Sequence, residues 1–218
     1  MSWLEWFHAL DLHLLYLINQ TWSRPWLDPV MARVSDFDSW RYPLDVTVLL
    51  TLIFGGFRGR LLLLLMLLCL LIGDKGIGDT FKRTIGRPRP NETEPHLRVV
   101  TVRSVTESIP QHRTSGNSFT SGHACNNVAL AVVGCAIFGR WALWLWPWAA
   151  LVSYSRIYTA SHYPSDILGS WIVAIVYAYF ICRVTAWLWR RYAPGKCPRL
   201  YARHPVLFPL YEKAPVQA

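Results

Sequence analysis

Apolar residues in this chain lie in long runs instead of at the spacing of a soluble core. From Leu61 to Ile72 the sequence is unbroken hydrocarbon apart from Cys69. A helix that is apolar on every side has no face to offer water, so such runs belong in lipid. Five segments are expected to span a bilayer: Tyr42–Phe57, Arg60–Ile77, Gly122–Gly139, Trp141–Tyr158 and Pro164–Trp189. Each is close to the ~20 residues that a hydrocarbon core requires. Trp3–Ile18 is apolar around most of its circumference but carries Glu5, His8, Asp11 and His13, which suits an interfacial helix or a sixth, imperfect span. After Pro25, residues Trp26, Leu27, Val30, Met31 and Val34 recur at three-to-four spacing, the pattern of a short amphipathic helix lying on the membrane. The expected fold is all-α: a polytopic membrane helix bundle of five to six transmembrane helices, with a short amphipathic interfacial helix near the N-terminus.

One long polar stretch, Asp79–Thr120, holds Pro88, Pro90, Pro95 and Pro110 among many charges and is expected to be a loop outside the lipid. Long loops of this kind often carry function. The tail from Tyr192 to Ala218, with five prolines, is expected to be irregular and exposed to water. Residues 1–218 therefore read as a single integral membrane domain, divided into an interfacial region (1–41), an extracytoplasmic loop (79–120) and a cytoplasmic tail (190–218).

Composition supports the membrane reading: 53% of residues are apolar and only 16% are charged, against roughly a quarter in ordinary soluble domains. The formal charge of +9 could point to nucleic acid, but basic residues also orient membrane proteins. If the long loop and the N-terminus share one side, the opposite side carries the whole +9 and the loop side sums to zero. That asymmetry places the tail in the cytoplasm and the loop on the periplasmic or exterior face of the cytoplasmic membrane. Trp141, Trp144, Trp146 and Trp148, with Trp187 and Trp189, cluster toward the same cytoplasmic edge, where amphipathic rings prefer to sit. No nucleic-acid partner is expected. The start, Met1–Leu10, lacks the basic front end of a secretory signal. Five cysteines without paired-ligand spacing predict neither a disulfide framework nor a zinc site. Two Asn-x-Thr triplets, at Asn19 and Asn91, match the glycosylation pattern by chance.

Three polar clusters emerge at helix ends on the outward face. Lys82–Pro90 reads KRTIGRPRP, where Gly86, Pro88 and Pro90 break the helix and leave Lys82, Arg83, Arg87 and Arg89 near the surface. Four cations there suit an anion, although general attraction to lipid headgroups explains the cluster about equally well. Thr120-Ser121-Gly122-His123 opens a spanning helix. A helix start presents free N–H groups, and glycine lets an anion approach the backbone, although Thr120 or Ser121 could equally be a plain cap. His123 needs a reason to be at a membrane helix end, because ionisable groups there are costly unless paired or used. The third cluster runs Ser155-Arg156 and then His162 to Asp166, with Pro164 suited to the first helical turn. Spacing by four could return the Asp166 carboxylate to one ring nitrogen of His162, leaving the other free as a nucleophile. The fork of donors on Arg156 suits a phosphate. A buried His-Asp pair that merely ties two helices fits the same residues.

The three clusters, in this order and spacing, resemble the motifs of the type 2 phosphatidic acid phosphatases. Lys82 to Arg89-Pro90 is similar to the first motif, Thr120-Ser121-Gly122-His123 to the second, and Ser155-Arg156, His162 and Asp166 to the third. The family usually has proline where Thr120 stands; that departure bears on loop stiffness and removes no catalytic group. The resemblance implies a membrane phosphatase that acts on a lipid phosphate or diphosphate such as undecaprenyl diphosphate, phosphatidate or phosphatidylglycerol phosphate. It implies that His162 attacks phosphorus and becomes phosphorylated, Asp166 orients it, and His123 protonates the leaving oxygen. Lys82, Arg89, Ser121, Gly122 and Arg156 would hold the equatorial oxygens. No metal or other cofactor enters this scheme. Lipid phosphotransfer to another lipid, and non-enzymatic lipid-phosphate binding or transport, are the competing readings. Phosphate release from a lipid phosphate is expected to persist in chelator; activity lost in chelator and restored by a divalent ion would contradict the scheme.

Overall fold

The computed structural model describes residues 2–211, except for the Leu4 side chain. The chain is mostly helical. Its elements are α1 (Trp3–Tyr16), α2 (Asp28–Ser35), α3 (Phe37–Phe54), α4 (Gly56–Leu68), α5 (Asp79–Ile85), α6 (Pro90–Thr93), β1 (Arg98–Val100), β2 (Val105–Glu107), α7 (Gly122–Phe138), α8 (Leu145–Tyr158), α9 (Pro164–Lys196) and α10 (Pro198–Arg203). Helices thus lie at all five segments of the apolar pattern. Among the described residues, three helical stretches are long and apolar enough to cross a membrane: Gly56–Thr93, Gly122–Ala142 and Pro164–Lys196. Helix α8 has 14 residues, short for a bilayer core, and α3 carries Asp38, Arg41 and Asp45 toward its start.

Helix α7 occupies the middle of the bundle. Ala129, Val132, Val133 and Ala136 are buried along it against Leu61, Leu65 and Cys69 of the α4 rod and Ala174, Ala178 and Cys182 of α9. Small residues at these positions let helix backbones approach closely, which is how helices associate where lipid competes for apolar contact. The outer side of α9 is complementary. Leu168, Ile172, Val176 and Phe180, each four residues after the last, are all exposed and form one apolar stripe facing outward.

The α4 rod continues through ten residues of π-helix, Cys69–Gly78, before α5 resumes α geometry. Gly73 lies in this stretch because the Tyr177 ring leaves no room for a side chain; a Cβ there would sit 2.4 Å from Cζ of the ring. The Tyr177 hydroxyl in turn donates to the Cys125 carbonyl at 3.3 Å, joining the rod, α7 and α9.

Several expectations are corrected. The polar stretch 79–120 is not all loop, because Asp79–Ile85 prolongs the rod and the rest holds α6 and an antiparallel hairpin in which Val99 pairs with Thr106. This small sheet qualifies an all-α fold. The tail is not irregular throughout, since α9 runs on to Lys196 and α10 follows; residues 212–218 of that tail lie outside the described residues. Only part of the apolar side expected for residues 26–37 is free to meet a membrane surface, since Trp26 and Val30 are exposed but Met31 is not. Met31 and Ala32 are buried against Val100 and Tyr158, and Asp28 bonds both Arg98, at 2.5 Å, and the Tyr158 hydroxyl, at 2.6 Å. Trp148 turns inward to donate to Asn127 at 2.9 Å, while Trp141 and Trp144 stay exposed. Asn19 is buried, its Nδ2 donating to the Arg98 and Tyr158 carbonyls and its Oδ1 accepting from the Arg98 N–H, so it has no room for a glycan.

Gly73→Ala is expected to destabilise the fold by about 1–3 kcal/mol through overpacking against Tyr177, despite alanine's better helix propensity. A lowered thermal unfolding midpoint in detergent would show it; an unchanged midpoint would mean that the ring has space to move.

Candidate active site

The three polar clusters converge at one end of the bundle. Gly86 ends α5 in the left-handed region, at φ 59°, and the chain then runs extended through Arg87 and Arg89 before Pro90 starts α6. This segment is tied to the other two clusters by backbone bonds: the Asn91 N–H donates to the Ala160 carbonyl at 3.2 Å, and the Ser118 N–H to the Arg87 carbonyl at 2.9 Å. Beyond α8, the Ser161 and His162 N–H groups both donate to the Arg156 carbonyl, folding His162 back over the helix end. Tyr163 then leads into α9, with Pro164 at its first turn.

Arg89, His123, Arg156 and His162 are electrostatic neighbours in this structure. Several of their polar atoms are buried and make no hydrogen bond: Arg89 Nε, Arg156 Nε, His123 Nε2 and Ser121 Oγ. Buried polar groups are ordinarily paired, so two guanidinium donors, a hydroxyl and an imidazole nitrogen without partners in one place suit an anion with several oxygens. Ser121 precedes α7 but caps it with no side-chain bond; its own N–H donates to Ser170 Oγ at 2.8 Å, which leaves the hydroxyl unspent. Arg156 is anchored from behind, where Nη1 donates to the Ser35 carbonyl at 2.9 Å and to the Ser35 hydroxyl. Helix α2 is thereby part of the frame of the site.

Lys82 stands apart from this group. Its Nζ donates to Asp79 at 3.3 Å and lies 4.0 Å from Asp74. The Asp74 carboxylate occupies the space a side chain at Gly122 would need, with Oδ1 2.9 Å from a Cβ built there. Gly122 is therefore required by a carboxylate packed against the helix start, and Lys82 reaches the α7 end through that carboxylate. Asp74 and Asp79 both face Lys82.

The geometry around His162 differs from the expected one. Asp166 Oδ2 is 3.9 Å from Nδ1, too far for a hydrogen bond, and Nδ1 instead donates to the Ser118 carbonyl at 2.7 Å. That bond places the proton on Nδ1 and leaves Nε2 with its lone pair. Asp166 acts one step removed. Its Oδ2 accepts from the Ser118 hydroxyl at 2.5 Å and the Tyr163 N–H at 3.1 Å, and its Oδ1 accepts from Arg87 at 2.6 Å. Helix spacing did bring the carboxylate back toward the ring, but Ser118 inserts between them. Ser118 gave no sign in the sequence, because a loop serine that contributes a carbonyl carries no pattern. Arg87 was visible as a cation of the first cluster, without a partner to assign it. Among the described residues, no three His, Cys, Asp or Glu side chains are grouped to hold a metal ion.

A family model described as the PAP2 superfamily matches residues 58–190. A lipid A 4′-phosphatase of Porphyromonas gingivalis is 30% identical over 61% of this chain and 55% of its own length; the chain thus spans about half of that relative. A second lipid A 4′-phosphatase, from Bacteroides thetaiotaomicron, is 26% identical over 78% of this chain and 74% of its own. The crystal structure of Aquifex aeolicus LpxE superposes with a TM-score of 0.58 at 23% identity, covering 80% of this chain and 95% of that one. A PAP2-type phosphatidylglycerolphosphate phosphatase from Bacillus subtilis gives 0.57 at 18% identity, covering 82% of this chain and 86% of its own. At these identities the two structures establish likeness of fold alone.

Burial, reinforced by the Arg156 and Arg89 cations, holds the His162 imidazole well below its ordinary value of 6.5, against the opposing pull of the Ser118 carbonyl. The unfolded chain then binds this proton more readily than the folded one, so stability is lost as pH falls from about 6.5 toward the folded value. The thermal midpoint of the native protein is expected to drop more steeply between pH 6.5 and 5 than that of His162→Gln; parallel slopes would contradict a neutral, buried imidazole.

Proposed function

This chain belongs to the PAP2 superfamily, and on that premise we propose that it is a membrane-embedded, metal-independent phosphatase that removes phosphate from a lipid by way of a phosphohistidine. The observation that carries the proposal is the group of buried, unpartnered donors on Arg89, Arg156 and Ser121 beside two imidazoles at the end of an apolar bundle. Such a group matches the charge that spreads over the equatorial oxygens of a phosphoryl group in transfer. In this reading His162 Nε2 attacks phosphorus in line while the bond to the lipid oxygen breaks. His123, whose Nε2 is buried and unpaired, gives that oxygen its proton and later takes one from the water that cleaves the P–N bond. Lys82 acts at longer range than the two arginines, and Gly122 contributes its backbone N–H at the α7 start, the space beside its Cα being filled by Asp74. Cations fixed in a water-poor site stabilise the transition state without reorganising, and no step needs a metal ion.

The substrate is proposed to be a lipid phosphate whose headgroup enters at the helix ends while its chains remain in the bilayer. Both curated relatives are lipid A 4′-phosphatases, so a lipid A-type phosphomonoester is the first candidate, ahead of phosphatidate, phosphatidylglycerol phosphate and undecaprenyl diphosphate. We read α3, the α4 rod, α7, α8 and α9 as five spans of one membrane domain, with α1 at the interface. The basic excess on the tail side orients the site to the periplasm or exterior.

Purified protein is expected to release phosphate from at least one lipid of that panel. His162→Ala should abolish turnover while the protein still folds, and His123→Ala should slow most the esters with poor leaving groups. Wild-type rates from His162→Ala would refute the assignment, and phosphate appearing only on an added acceptor lipid would mark a phosphotransferase.

A further inference from the structure

A carboxylate on α1 and an arginine outside the recognised motif spacing are joined to the nucleophile by an unbroken series of bonds. Arg87 donates through Nη1 to Asp166 Oδ1 at 2.6 Å and through Nη2 to Asp11 Oδ2 at 2.7 Å, so one guanidinium spans two carboxylates. Its face lies 4.0 Å from the centre of the Tyr163 ring. Asp11 is buried although it sits on a helix whose other side exposes Trp3, Trp6, Phe7, Leu10 and Leu14. Asp11 also accepts from the Ser165 N–H at 2.8 Å and the Ser165 hydroxyl at 2.5 Å, fastening α1 to the first turn of α9. On the other flank, the Arg87 carbonyl accepts from the Ser118 N–H, and Ser118 in turn carries both the hydroxyl bonded to Asp166 and the carbonyl bonded to His162.

We propose that Arg87 and Asp11 are positioning residues of the reaction: the Asp11–Arg87–Asp166 clamp fixes Ser118 and, through its carbonyl, the imidazole of His162. The proposal rests on the phosphohistidine reading above. Two physical points set the clamp apart from an ion pair that only holds helices together. Arg87 meets Ser118 twice, by its own backbone and by way of Asp166, so a shift of the guanidinium moves the group that orients the nucleophile. Two carboxylates also share a single cation, so the clamp as a whole is negative, and its nearer carboxylate oxygen, Asp166 Oδ2, lies 3.9 Å from Nδ1 of the ring. Positive charge develops on that imidazole as Nε2 bonds to phosphorus, and the excess carboxylate charge favours it. Neither residue contributes an unpartnered donor to the phosphate-binding group, so the effect belongs to the chemical step and not to substrate binding. Lysine cannot reproduce the clamp, because one ammonium lacks the planar fork that reaches both carboxylates.

The test uses the purified full chain in detergent, with the panel lipid that gives the highest wild-type rate. Arg87→Lys and Asp11→Asn are each expected to lower kcat tenfold or more with KM within twofold, measured per folded, monodisperse molecule. The double variant should lose little beyond the worse single one, because the residues act as a unit. Trp6→Ala, on the exposed side of the same helix, should keep the wild-type kcat. Wild-type kcat in Asp11→Asn, or losses that multiply in the double variant, would overturn the clamp; where Arg87→Lys fails to fold, Asp11→Asn decides alone. His162→Ala is assayed beside them. If it retains turnover, the phosphohistidine reading fails, whereas if it is inactive while the Arg87 and Asp11 variants match wild type, only the clamp fails.

Discussion

A buried carboxylate must be paired or it does not stay charged, and the pairing of Asp166 organises this end of the molecule. Its partners come from three separate parts of the chain: Arg87 after α5, Ser118 before α7, and the Tyr163 N–H at the start of α9. Satisfying one acidic group therefore draws together the segments that carry the three polar clusters. Removing a partner would leave charge stranded in an apolar setting, which costs far more than an exposed ion pair contributes.

The apolar bundle below supplies the rigidity that this polar assembly needs. Alanines along α7 allow the α4 rod and α9 to close on it, Gly134 makes room for Leu145 of α8, and the site is built from the ends of these helices. Donors on rigid helix ends keep their aim better than donors on long loops. The two longer excursions, α1–α2 and the hairpin segment, are each pinned by buried polar bonds, through Asn19 and Asp28 to Arg98 and Tyr158.

Much of this could be read from residue order. Continuous apolar runs gave the helices, because lipid-facing and protein-facing sides are both hydrocarbon and leave little else for such a run to do. The cations and histidines were legible because charge at a membrane helix end is costly enough to demand a reason. The corrections share a cause, which is long-range pairing. Ser118 receives the imidazole because the loop before α7 folds over α9, and no local spacing encodes that. Asp11 looked like a blemish on an interfacial helix until its partner, 76 residues later in the chain, supplied its purpose. The hairpin at Arg98–Glu107 was hidden inside a stretch whose prolines and charges read as loop, and α2 turned inward because Asp28 and Ser35 have partners on α8 and β1.

The ten-residue π stretch in the α4 rod has a consequence for everything that follows it. Wider turns let each residue rotate less about the axis than in an α-helix, so the azimuth of the downstream segment lags behind that of a regular rod. Lys82, Asp79 and the exit of the chain toward Arg87 take their compass bearing from that lag. A sequence of equal hydrophobicity wound as plain α-helix would be longer along its axis and would emerge with its cations pointing to another quarter of the membrane plane.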